Sequence, residues 1–150
     1  MTANTSPIFS ATPDVQVGGA ILGPTALNAT QVLTDSAMAM IFKAGANGSW
    51  VDRIVLKPIN SPAATVIRIF FCADTGGTFT PGTTNTTANT ALLTEFTAAA
   101  ITASATAAQS DISIPIRSAL PAGTKLLIGF GTSTGAAGTG YTSAGFGGDY

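Results

Sequence analysis

Asp111-Ile112-Ser113-Ile114-Pro115-Ile116-Arg117 alternates without a break. Ile112, Ile114 and Ile116 share one side; Asp111, Ser113, Pro115 and Arg117 share the other. A period of two sets one side on a core and one in solvent, so this stretch is a half-buried β-strand. Pro115 has no N–H to give a ladder, so the strand lies at a sheet edge or pairs on one side there. Downstream, Ser118–Gly123 carries Pro121 and Gly123 and reads as a turn. Thr124–Gly131 (Thr-Lys-Leu-Leu-Ile-Gly-Phe-Gly) then reads as a buried strand containing glycine.

Upstream, Thr65–Ala73 is a second clear strand. Ile67, Ile69 and Phe71 take one face; Val66, Arg68, Phe70 and Cys72 take the other. Apart from Arg68, that second face is too apolar for water. The strand is therefore covered on both sides, by a loop or by another subunit. Met38–Lys43 and Trp50–Lys57 flank Asn47-Gly48, a strong turn signal, and the spacing predicts a hairpin. In the second arm Ile54 and Leu56 face one way, and Arg53, Val55 and Lys57 the other. Val15–Leu22, Gln31–Thr34, Leu92–Thr97 and Tyr141–Phe146 are shorter strand candidates. One helix candidate, Thr94–Ala108, is alanine-rich but interrupted by threonine and serine. The sum is an all-β chain: one antiparallel β-sandwich of about eight short strands, jelly-roll-like.

A chain of 150 residues fits one domain. The expected layout is a single sandwich over 1–150, with an extended N-terminal arm (about 1–13) and a Gly-rich C-terminal tail (about 132–150). Gly129–Tyr150 holds eight of the seventeen glycines, which signal flexibility or close chain approach. Thr75–Thr90 is a Thr/Gly-rich loop with one aromatic, Phe79. Long ordered loops usually carry a function. Met1–Pro7 has neither the positive charge nor the apolar run of a secretory signal. No uncharged stretch is an apolar run of about 20 residues, so no membrane span is expected. With synthesis and assembly in a cytoplasm, the sequons at Asn4, Asn28, Asn47 and Asn85 read as chance in a Thr-rich chain.

Composition narrows the chemistry. There is no histidine and one cysteine, Cys72. That excludes Ser-His-Asp and Cys-His mechanisms, a Cys/His zinc site and an intramolecular disulfide. Six scattered basic residues and a net charge of −1 argue against nucleic acid as a partner. The carboxylates are Asp14, Asp35, Asp52, Asp74, Glu95, Asp111 and Asp149. Most sit at predicted strand ends, where aspartate caps turns, so no catalytic pair is expected. Asp74-Thr75-Gly76-Gly77 lacks the alternating ligands of a calcium loop and reads as a turn. The C-terminal glycines are not followed by Gly-Lys-Ser/Thr and make no phosphate loop. No cofactor, metal or catalytic residue is expected. Cys72 reads as a buried inert thiol, and Trp50 as core or interface.

Scarcity of charge is the most informative feature. Only 9% of residues are charged, whereas threonine (24) and alanine (26) make up a third of the chain. A soluble monomer usually keeps about 25–35% charge on its surface. Depletion of charge is a mark of protein–protein contact, so the composition favours assembly.

Three stretches carry a resemblance: Asn4-Thr5-Ser6-Pro7-Ile8-Phe9, then Phe42-Lys43-Ala44-Gly45-Ala46-Asn47-Gly48-Ser49-Trp50-Val51-Asp52-Arg53-Ile54, and the ending Ala144-Gly145-Phe146-Gly147-Gly148-Asp149-Tyr150. Together they resemble small virion structural proteins of tailed bacteriophages, similar in outline to head decoration (cement) proteins. The Thr75–Thr90 and Ala98–Ala108 segments depart from the shorter members. The resemblance implies a non-enzymatic homotrimer on the capsid exterior that bridges subunits of the major capsid protein. Ile8, Phe9, Phe79, Phe146 and Tyr150 are then the candidate protein-interaction residues, inserting apolar side chains into neighbouring grooves. On that reading deleting Ala144–Tyr150 weakens capsid attachment or trimerisation while the sandwich still folds. The alternative is a tail-fibre or baseplate adhesin binding a host glycan through Trp50, Tyr141 and loop Asn/Asp residues. A tail glycan hydrolase is a third possibility and needs two carboxylates across a cleft.

Overall fold

The computed structural model describes residues 12–23 and 27–150. Among them are eight strands and no helix. In chain order these are β1 (Thr12–Leu22), β2 (Ala39–Lys43), β3 (Ser49–Ile59), β4 (Thr65–Cys72), β5 (Thr90–Ala98), β6 (Ile112–Leu120), β7 (Lys125–Phe130) and β8 (Gly140–Asp149). They form two four-stranded antiparallel sheets. Sheet A runs β1-β8-β3-β6 and sheet B runs β2-β7-β4-β5. The pairings β1·β8, β2·β7, β3·β6 and β4·β5 nest one inside the next. The chain is one long antiparallel ribbon, closed at the β4–β5 turn. Rolling that ribbon up brings β3 against β8 and β4 against β7. This is the eight-stranded jelly roll expected from the alternation pattern.

The inner faces make the core. Val51, Ile54 and Leu56 of β3, with Ile112 and Ile114 of β6, face Ile67 and Ile69 of β4 and Leu126, Ile128 and Phe130 of β7. Each such side chain contributes roughly 1.5–3 kcal/mol by leaving water. Phe130 and Tyr141 stack with ring centroids 5.7 Å apart. Burial pushes the Tyr141 phenol above its ordinary pKa.

β4 is covered on both sides, as its sequence predicts, and the cover comes from the chain itself. Phe70, Cys72, Leu127 and Met38 form a second cluster outside sheet B, with Leu33, Met40, Phe79 and Leu92 packed on it. Asn85 holds the covering segments together. Its amide donates to the Leu33 carbonyl at 2.8 Å and the Asp35 carbonyl at 3.1 Å. Lys125, fully buried beneath the loop, bonds the Asp74 carboxylate at 2.8 Å and its carbonyl at 2.6 Å. The Lys125 ammonium holds the Asp74 carboxyl below the usual range. Arg68 bonds Glu95 at 2.7 Å and donates to the Asn28 carbonyl. Its guanidinium likewise holds Glu95 low. Both cations are buried and neither is left unpaired, which would be costly, and through the Asp74 and Asn28 carbonyls they also hold the adjoining loops.

Several sequence expectations are corrected. The expected hairpin of 38–43 with 50–57 does not form. β2 belongs to sheet B and β3 to sheet A. The Asn47-Gly48 reversal is present, with Gly48 at φ 93, but it spans the two layers. Ala44 instead bonds the β6–β7 turn, donating to the Thr124 carbonyl at 2.8 Å. A five-residue connection is long enough to cross sheets about 10 Å apart. Gln31–Thr34 is turn and irregular backbone. The helix candidate Thr94–Ala108 is the end of β5 and a loop.

The expected tail at 132–150 contains β8, an inner strand of sheet A paired on both sides. Most of the expected arm, 1–11, lies outside the described residues; Thr12 and Pro13 already belong to β1.

Candidate functional site

β1 reverses the usual alternation. Asp14 and Gln16 turn toward the sheet interface, and Val15 and Val17 toward solvent, 56% and 77% exposed. The polar side has work to do there. The Gln16 side chain donates to the Lys43 carbonyl at 2.6 Å and accepts from the Lys43 amide at 2.8 Å. It thereby joins β1 to β2 and closes that edge of the sandwich. A one-residue slip would put the valines inside and break both bonds.

With that register fixed, the outer face of sheet A is set row by row. One row runs Pro13, Gly148, Trp50, Ala119 across β1, β8, β3 and β6. The next runs Val15, Phe146, Arg53, Pro115, and the third Val17, Ala144, Val55, Ser113. Trp50 is 40% exposed and its cross-strand neighbours are small, so its ring stands clear on the sheet. Arg53 is the one charge within these rows. Its guanidinium lies 4.8 Å from the centre of the Phe146 ring and bonds Asp52 at 2.6 Å. Lys57 and Asp111 pair at 2.8 Å beyond the third row. Apart from Arg53 in the middle row these three rows are uncharged and mostly apolar, with the Lys57–Asp111 pair beyond them, which makes the face a candidate docking surface.

The candidate residues do not converge on one site. Phe146 lies on this face. Tyr150 follows the end of β8, where its amide donates to the Gly48 carbonyl at 3.2 Å and its carbonyl accepts from Asn47. Phe79 is half-buried against the cluster outside sheet B and serves the chain's own packing. Ile8 and Phe9 lie outside the described residues. Tyr141, a glycan-contact candidate, is fully buried in the core and cannot touch a glycan. Val15, Val17 and Val55 were not among the candidates. Their signal was the inverted alternation of β1, where valines flank a glutamine that bonds across the sheets.

The carboxylates hold structure together. Asp52 pairs Arg53, Asp111 pairs Lys57, Glu95 pairs Arg68 and Asp74 pairs Lys125. Asp35 caps the Ala37 amide, Asp14 accepts from Gln16 and Asp149 accepts from Ser49. The Asp74 carboxylate also accepts from the Gly76 amide at 3.0 Å, making the turn that its sequence suggests. Among the described residues no cluster of three or more acidic, cysteine or histidine side chains forms a cation site. Cys72 is a buried free thiol. Asn28 and Asn85 are buried and committed to backbone partners, so neither sequon presents an accessible amide.

Comparison of the chain with protein-family models, curated proteins and solved structures finds no match.

Proposed function

We propose that the chain is a structural protein of a bacteriophage virion, a decoration protein that stabilises the head by bridging capsid subunits, and not an enzyme. The observation that carries this reading is the apolar outer face of sheet A. It occupies a rigid eight-stranded scaffold that leaves Val15, Val17 and Trp50 in solvent. A charge content of 9% adds to it, because little of the surface repels a neighbour. Jelly rolls are a common material of viral shells. The resemblance at both ends and in the β2–β3 segment points the same way. In this reading the partners are the major capsid protein and two further copies of the chain, on the outside of the head. Many weak contacts on a repeating lattice then add through avidity.

Exposure of Trp50 is the one feature that favours the glycan-binding adhesin instead, since an exposed indole can stack on a sugar. Copy number separates the two. Heads and tails are separated from purified particles and the chain is quantified by mass spectrometry against the major capsid protein. Abundance comparable with the capsid protein, in the head fraction, is the expected result. A few copies confined to tails would transfer the assignment to the adhesin. Absence from particles would overturn both.

A further inference from the structure

We propose that β6 pairs antiparallel with β6 of a second copy about a two-fold axis at Ile114, joining two copies of sheet A into one continuous sheet. This contact goes beyond the virion reading and does not rest on it. It joins two copies; contacts among three would use other surfaces.

The sandwich has two long sides. One is closed, where Gln16 of β1 bonds Lys43 of β2. The other is open. There β6 ends sheet A and β5 ends sheet B. A groove of about 260 Å³ lies between them, lined by Leu93, Thr94, Pro115, Ile116 and Ser118. Leu93 and Phe96 of β5 are exposed at this side. Phe96 stands opposite the buried Ile67, so its ring turns toward the space between the sheets and still meets water. An unpaired strand edge flanked by exposed apolar side chains is a template for a further strand.

Charge selects which strand. Asp111–Arg117 carries an acid at one end and a base at the other. Arg117 is exposed and pairs with no carboxylate among the described residues. It stands at φ 49, and the register with β3 jumps past it, from Val51↔Ser118 to Arg53↔Pro115. A non-glycine residue held in the left-handed region at a bulge points to a use at that place. Asp111 bonds Lys57 through Oδ1, which leaves Oδ2 as an acceptor. Antiparallel pairing centred on Ile114 sets each Arg117 beside Asp111 of the second copy. It also sets Pro115 beside Ser113 and Ile116 beside Ile112. A shift of two residues puts Arg117 against Ser113 or Gln109 and loses both ion pairs. A shift of one puts isoleucines opposite outward-facing residues.

The same axis brings the two β5 strands together. The chain turns back between β3 and β4, and β6 and β5 run against these two in their sheets, so β5 and β6 run in opposite directions. Thr94 shares the groove with Ile116. Phe96 therefore lies near the level of Ile114, and the two Phe96 rings meet close to the axis. The outer faces of both copies of sheet A end on the same side of the pair, which doubles the face proposed for docking.

Mass in solution and a crosslink test the contact. By sedimentation equilibrium the full chain is expected to associate into an even number of copies. Arg117→Glu sets carboxylate against carboxylate at an exposed position and should weaken association by roughly tenfold or more. Register is read by mixing two single variants, Ser113→Cys and Pro115→Cys, both at exposed positions. Directly opposed residues on paired strands come close enough for a disulfide. The same residue on each of the two strands is a diagonal neighbour at about 7–8 Å, too far to bridge. The oxidised mixture is therefore expected to give a crosslinked pair, and each variant alone none. Cys72 is buried and stays out of the reaction. Thermal melting confirms that each variant is folded. A full chain that stays single at every concentration would overturn the proposal. So would an assembly that folded Arg117→Glu leaves intact, or a mixture that crosslinks no more than the single variants.

Discussion

A chain lacking Ala144–Tyr150 is expected not to fold. These residues include most of β8, which pairs with β1 on one side and β3 on the other. Their loss strips the ladder partners from Thr12–Val17 and from Ser49–Val55 at once. It also opens the core where Gly145 lets the Phe42 ring approach the strand. A break in the middle of a sheet leaves backbone groups that nothing else in the fold can satisfy. Circular dichroism should show a disordered or aggregated product without a cooperative thermal transition. Removing Tyr150 alone deletes only two terminal hydrogen bonds and should leave the transition nearly in place. A folded, cooperatively melting chain without Ala144–Tyr150 would show that β8 is the appendage its composition suggests.

Gly147→Ala is expected to destabilise the fold strongly. Gly147 lies opposite Val51 on β3 and Asp14 on β1. An added Cβ would collide with the Trp50 carbonyl oxygen and press on the Val51 backbone. Backbone cannot swing aside as a side chain can. The cost should sit at the upper end of overpacking, about 3 kcal/mol. For a domain of this size that lowers Tm by roughly 10 °C. Gly77→Ala is the control, since a Cβ there meets nothing within 4 Å. Equal melting of the two variants would contradict the close approach of β8 and β3.

How far the sequence could be read follows from these same residues. β6 and β4 were legible because each carries three alternating apolar residues, and β3 because Ile54 and Leu56 alternate after a turn signal. Pro115 even located β6 at a sheet edge, where it pairs only with β3. Pairing was not legible. Asn47-Gly48 says that the chain reverses, not whether the returning strand lies beside the first or across the core from it. In a jelly roll the true partners are distant: β2 meets β7, and β1 meets β8. β8 was obscured for another reason. Its glycines serve close packing between strands, yet in sequence they look like a flexible tail. The same strand therefore carries Phe146 on the outer face of sheet A, while its glycine content hid the pairing that holds it there.

The face proposed for docking was half legible. Low charge pointed to association without locating it. Trp50 stood out as an aromatic beside a turn, but a lone tryptophan is more often internal. Val15 and Val17 could be placed only after Gln16 was seen to bond Lys43 across the sheets. Phe79 misled because its loop folds back on sheet B, so an apparent free anchor fills a gap in the chain's own cover.

The most direct measurement is binding of the purified chain to phage heads that lack it, read by co-sedimentation. Val15→Asp with Val17→Asp places two carboxylates in the apolar field at positions more than half exposed. Melting should therefore change by only about 1–2 kcal/mol of strand propensity. The wild-type chain is expected to sediment with heads to saturation, and the folded double variant to remain in the supernatant. A double variant that melts cooperatively and still saturates the heads would contradict the assignment of sheet A as the docking face.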